Sequence, residues 1–301
     1  SMFLASNKYF MTAAIIFGCC ILSRNVFADK IDLIRVVAVN KFPCTFKITE
    51  QQLNQLSWAL ENKNRTHDMD LAVQYNDMHI EIYRALTRLY CAQLLRIGTM
   101  DAYDHFVAAQ LESGVAQPLQ ADSFMSFSKH IQLLSVDNYE LVETAIILTS
   151  VNFAPLTAQD IAVNENDTLD FLAYTLRCSS DIYPIINSTF NKKLFYILFP
   201  PHTNFRHMLY TEGGIGMFNY LRDMIAYNYI TKKELDLWYA FWIVNISGFR
   251  GHINNNGSIY LTEPVANAVG YLKSLIYKML DNPTYDPLVP YLEYRARHIG
   301  Y

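Results

Sequence analysis

Residues 70–97 read DLAVQYNDMHIEIYRALTRLYCAQLLRI, and this stretch decides the fold class. Leu71, Tyr75, Met78, Ile82, Ala85 and Leu89 recur at spacings of three and four. That spacing gathers them into one apolar stripe of an α-helix, whereas a strand would show strict alternation. Glu81, Arg84 and Arg88 fall on another face, which the pattern assigns to water. Gly98 follows, and glycine tolerates the left-handed conformation in which helices end.

The same punctuation repeats outward in both directions. Upstream, Thr49 stands three residues before Gln52, a capping-box pattern, and Leu53, Leu56 and Leu60 then share a face. Downstream, Thr99 opens a segment with Asp101 and Asp104 in its first turn, where the helix dipole favours negative charge. Asp122 starts a segment through Leu134, Asp137 with Glu140 caps LVETAIILTSV, and Asp167 caps a segment through Arg177. Asn191 to Leu198 is a short apolar element ended by Pro200-Pro201. Ile215 to Tyr227 reads as a helix, and Thr231 with Glu234 opens the next. That helix carries Leu235, Trp238, Trp242 and Ile246 as a bulky stripe, with Gly248 as its stop. Thr262 and Pro264 begin a helix through Leu280, and Asp286-Pro287 begin the last. The chain is therefore expected to be mainly α: a single multi-helix globular domain of about ten helices spanning residues 29–301. A sub-boundary, if there is one, falls near residue 200. Only residues 31–39, IDLIRVVAV, read as a short strand, because β-branched residues crowd them.

Composition sets the outer bounds. A chain of 301 residues that is 51% hydrophobic can build a substantial core, which excludes a disordered class. The formal charge of −4 leaves no global basic field to attract nucleic acid. At the N-terminus, Lys8 precedes an apolar run from Tyr9 to Leu22, and Val26-Phe27-Ala28 supplies slim residues before Asp29. The run is short for a membrane span, which needs about 20 residues, and it suits the apolar core of a signal peptide. Residues 1–28 are thus expected to be a leader, and the protein secreted or periplasmic, with no membrane span beyond that segment. The competing expectation is an uncleaved, buried apolar segment on a cytoplasmic protein. Beyond it, Cys44, Cys91 and Cys178 contain no CxxC pair, so they build no zinc cage; export would allow one disulfide and a free thiol, whereas a cytoplasmic protein is expected to hold three buried thiols.

Chemistry concentrates between Asn204 and Pro264, which hold six of the eleven glycines. NFRHMLYTEGGIGMF (204–218) and FRGHINNNGSIYLTEP (249–264) flank the tryptophan helix. Exposed amides at Gly213 and Gly214 open a helix and suit an anion. Arg206 and Arg250 can grip a carboxylate or phosphate through two parallel N–H bonds. Histidine is the side chain suited to move protons near neutral pH, so His207 and His252 are the candidate proton-transfer groups, with Glu212 or Glu263 as base or orienter. Ser258 joins the ligand contacts, and it becomes a nucleophile only if His252 reaches it. His67-Asp68 lies in a polar segment, and His202, His207 and Glu212 are spaced five apart rather than four, so no metal site is assigned. No cofactor is named by any motif.

Two functions fit this pattern. The first is an exported bacterial helical protein, host-directed or of the envelope, that binds an unknown protein or a small anionic ligand through the glycine-rich loops. The second is a hydrolase acting on a phosphate- or carboxylate-bearing substrate through the His, Arg and Glu residues of 206–263. Either needs the two loops to meet. A helix of about 16 residues separates its ends by roughly 24 Å, so residues 215–227 must fold back antiparallel and bring Gly213-Gly214 and His252 to one end of a helical hairpin.

Overall fold

The computed structural model describes residues 31–61, 71–150, 181–185, 204–211 and 214–298. Among them lie eleven helices and no strand, arranged as one all-α domain. In chain order the helices are α1 (residues 31–41), α2 (Glu50–Glu61), α3 (Leu71–Ile97), α4 (Met100–Glu112), α5 (Ala121–Gln132) and α6 (Val136–Leu148). They continue with α7 (Phe205–Leu209), α8 (Gly214–Ala226), α9 (Lys232–Ser247), α10 (Glu263–Asp281) and α11 (Leu288–His298). The N-terminal apolar run, His67-Asp68, Asp167 to Arg177, Asn191 to Leu198 and Pro200-Pro201 lie outside the described residues. No described helix is long and apolar enough to cross a membrane.

The IDLIRVVAV stretch is helical, not extended. Ile34, Val37 and Ala38 are buried while Val36 and Val39 are exposed, which is helical spacing rather than alternation. β-branching lowers helix propensity by only tenths of a kcal/mol, so one buried face outweighs it.

Two helices form the centre. α3 packs against α2, α4, α5, α6 and α9, and α9 packs against α3, α5, α6, α7 and α10. Enclosure on so many sides explains why α9 is buried all round from Leu237 to Ser247 and not along one stripe. Trp238 and Trp242 are core residues, with the Phe205 ring edge-on to Trp238 at 5.2 Å. Each such side chain removed from water contributes about 1.5–3 kcal/mol. The same enclosure overturns the expectation for Arg88, which is buried rather than solvated. Its Nε donates to the Asn245 carbonyl at 3.1 Å and its Nη1 to Thr149 Oγ1 at 3.2 Å. Burial pulls the guanidinium pKa down to about 10. Glu81 and Arg84 pair with each other at 3.0 Å.

The helix ends follow local chemistry. Thr49 and Gln52 exchange the two bonds of a capping box, at 3.0 and 3.1 Å. Gly98 ends α3 with φ +66°. Thr99 Oγ1 accepts the Ala102 N–H at 3.2 Å. At α6 the cap is Ser135 rather than Asp137, its hydroxyl accepting the Asn138 N–H. Cys91 is buried, but Cys44 is exposed, so the three-buried-thiol expectation fails at Cys44, and Cys178 lies outside the described residues.

The expected hairpin also takes another form. α8 packs chiefly on α10 and α7 rather than on α9, and α7 touches α8, α9 and α10. The turn between α8 and α9 passes through Asn228 at φ +56°, and the N–H groups of Tyr229 and Ile230 both return to the Met224 carbonyl.

Candidate functional site

The loop Gly248 to Leu261, singled out by its glycines and asparagines, is a strap fastened at both ends. Its first half lies on α3. A Cβ on Gly248 would sit 2.9 Å from the Arg88 backbone nitrogen, and one on Gly251 would sit 2.4 Å from Thr87 Oγ1. Glycine is needed there because the strap and the helix approach so closely. Its second half lies on α4. The Asn254 and Asn256 amides each donate to the Glu112 carboxylate at 3.0 Å, and the Asn255 amide donates to the Lys41 carbonyl. The Ala109 N–H donates to the Asn256 carbonyl, and the Ser258 N–H to that of Phe106. Buried Gln110 closes the clasp: its Nε2 donates to the Ser258 and Leu261 carbonyls at 2.8 and 2.9 Å, and its Oε1 accepts the Leu119 N–H.

This construction redistributes the residues that sequence pattern grouped. Ser258 is fully enclosed and its Oγ accepts the Leu261 N–H at 3.2 Å, so it acts as a fastener inside the strap and presents no hydroxyl to a ligand. Glu263 joins two helices: its Oε2 accepts the Gln120 N–H at 2.9 Å and its Oε1 accepts the Ser123 hydroxyl at 2.8 Å. It thereby caps α5, whose own N-cap residue makes no side-chain cap bond. Arg206 and His207 sit on α7, which Asn204 caps through its side chain. The Arg206 guanidinium lies 4.8 Å above the Phe249 ring, and buried Arg88 reaches the same ring at 5.5 Å. The strap also carries exposed Arg250 and half-buried His252. Gly214 begins α8, whereas Glu212 and Gly213 lie outside the described residues. The structure thus brings Arg206, Arg250 and His252 around the start of the strap and sends Ser258 and Glu263 elsewhere.

A second site was not visible in the sequence pattern. α5 and α10 both pack on α9, and a cleft of about 430 Å³ opens between them. Ser123, Ser126 and Phe127 of α5, Tyr239 of α9, and Ala266, Gly270, Lys273, Ser274 and Tyr277 of α10 line it. Gly270 leaves open space above the helix, since a Cβ there meets nothing within 4 Å. The Lys273 ammonium lies over two aromatic faces, 4.6 Å from Tyr239 and 5.1 Å from Tyr277.

The electrostatics of this cleft are uneven. Asp236 is already engaged: Lys232 pairs with its Oδ2 at 2.7 Å and Tyr277 donates to its Oδ1 at 2.6 Å. Among the described residues no carboxylate stands within ion-pair distance of Lys273. Burial, with Lys232 nearby, lowers the Lys273 pKa, and Asp236 only partly restores it. Burial together with the bond to Asp236 raises the Tyr277 pKa, so the phenol keeps its proton. His130 packs edge-on to Tyr239 at 4.9 Å, and its Nε2 meets the Asp236 carbonyl at 2.9 Å. A carbonyl only accepts, so Nε2 carries the proton, and burial lowers the imidazole pKa and favours the neutral ring.

Compared with known protein families, curated proteins and solved structures, the chain matches none. The chemistry therefore rests on this geometry. Ala266, Gly270, Lys273, Ser274 and Tyr277 share a face of a single helix, with glycine at its middle, but that spacing alone does not distinguish a cleft from a packed face.

Proposed function

We propose that the protein is a ligand-binding protein whose cleft between α5, α9 and α10 takes a small organic anion. The observation that carries this reading is Lys273, a half-buried cation held by two aromatic rings with no carboxylate partner among the described residues. A buried charge without a counter-ion is costly, and a bound carboxylate or phosphate would remove that cost. Phe127, Tyr239 and Ala266, with the open space above Gly270, would receive an apolar body. The volume falls within the range of small-molecule sites, about 300–1,000 Å³.

Calorimetric titration of the full chain with short alkanoates, and with the matching alcohols, tests this. The carboxylates should bind and the alcohols should not. Lys273→Met should weaken binding about tenfold or more, the value of one charge-assisted hydrogen bond. Gly270→Leu should abolish binding by filling the cleft while the fold persists, because leucine is the better helix former. Affinity should be full below the Lys273 pKa and decline as pH rises through it. Equal binding by wild type, K273M and G270L would overturn the proposal.

A further inference from the structure

The start of the strap carries a separate concentration of positive charge. Arg84 and Arg88 come from α3, Arg206 from α7 and Arg250 from the strap itself, with Glu81 as the opposing carboxylate among the described residues. Arg88 is committed to Asn245 and Thr149, and Arg84 gives Nη1 to Glu81. Arg206 and Arg250 are exposed and have no carboxylate partner among the described residues. Such a grouping on a chain of net charge −4 is local and runs against the global balance.

Two features mark this face as shaped for something more than packing. Arg250 adopts φ +63°, a left-handed conformation that a side chain other than glycine enters at a cost. The turn around it is tight, with the Gly251 N–H returning to the Gly248 carbonyl and the Ile253 N–H to that of Arg250. In His252, Nδ1 is enclosed and unpartnered. A bare nitrogen is the cheaper way to bury that position, since it avoids stranding an N–H donor. The proton then sits on Nε2, which is neither enclosed nor bonded among the described residues and so faces outward as a donor.

We propose that Arg250, His252 and the free donors of Arg84, bordered by Arg206 on Phe249, form a binding site for a phosphate group, free or carried as a monoester, and that occupation of the site takes up a proton on His252. The site is independent of the cleft on α5, α9 and α10. The charged groups acting on His252 are Arg84 and Glu81 from α3 and Arg250 from the strap. Burial first, and then the two arginines, hold its pKa below the ordinary value, with Glu81 opposing. A dianion seated among the guanidiniums reverses their effect, so the imidazole protonates as the ligand binds.

Sulfate is the first probe, because it remains a dianion across the pH range and leaves His252 as the group that titrates. Calorimetry on the full chain should show saturable sulfate binding about three-fold or more tighter at pH 6 than at pH 8, as a rise of about one unit in the His252 pKa requires. The carbon resonances of the His252 ring should report that rise directly. His252→Gln should retain weaker binding and lose the pH dependence. Arg250→Gly should lose binding while the melting temperature holds or rises, because glycine is at ease at positive φ. Inorganic phosphate and a simple phosphomonoester, titrated at pH 8, then separate the two sources. Absence of saturable binding by all three anions would overturn the proposal. So would affinities that are equal in wild type, R250G and H252Q.

Discussion

The strap and the cleft differ in how their polar residues are used. In the strap, Asn254, Asn255, Asn256 and Ser258 lie within five consecutive positions, and each is spent on a bond to α4, to the Lys41 carbonyl or to the strap itself. In the cleft, Ser123, Tyr239, Lys273 and Tyr277 come from three helices. There the cation is left over: Lys273 has aromatic faces beneath it and, among the described residues, no carboxylate within ion-pair distance. Local crowding of polar residues is what a long loop needs to satisfy its backbone where it meets the core. An unmatched charge is a stronger pointer to a ligand, and it becomes visible only once the helices are assembled.

The largest expected effect tests the strap as a fastener. Gln110→Ala leaves the Ser258 and Leu261 carbonyls and the Leu119 N–H without their buried partner. The loss should be about 4 kcal/mol, since each stranded group costs about 1–3 kcal/mol. Urea unfolding measures it. Below the transition the cleft of this variant should bind its anion as wild type does, because Gln110 lines no part of it. A loss under about 1 kcal/mol would mean that the strap hangs on α4 without supporting it.

How much of this was legible follows from where each cause lies. Caps and stripes are local, so α3, its Gly98 terminus and the Thr49–Gln52 box can be read directly. Residues 31–39 are helical despite their β-branching because the spacing of Ile34, Val37 and Ala38 buries one helical face. The burial of Arg88 is not legible in α3 alone because its partners, Asn245 and Thr149, arrive from far along the chain. Glu263 resembles chemistry for the same reason, since Gln120 and Ser123 reach it from far along the chain, whereas the Ser258 hydroxyl is taken up by the Leu261 N–H within the strap. Arg250 and His252 were legible as residue types, but the α3 guanidinium that shares their face was not.

Glu263 is the joint between the two regions, and its replacement should have an intermediate effect. Glu263→Gln weakens the charge-assisted bonds to the Gln120 N–H and the Ser123 hydroxyl. The cost should be about 1 kcal/mol, the usual worth of a helix cap. Because Ser123 also lines the cleft, anion affinity there should fall a few-fold at the same time. Thermal melting and calorimetry read the two changes. A change in neither would remove Glu263 as the link and leave strap and cleft energetically separate.

The smallest effect bears on the cleft alone. Gly270 lies within α10, where glycine costs about 0.5–1 kcal/mol relative to alanine. A Cβ at this position meets open space, so Gly270→Ala should gain that amount, a rise of about 1–2 °C in melting temperature. The added methyl occupies little of the cleft, and anion affinity should change less than it does in Gly270→Leu. A helix interior that forgoes this stabilisation leaves room above itself, and in this molecule that room borders Lys273. If alanine instead destabilises the fold, something packs against Gly270 and the cleft is closed in solution. The ordering of glycine, alanine and leucine at this position, in stability and in affinity, therefore separates an open binding site from a packing gap.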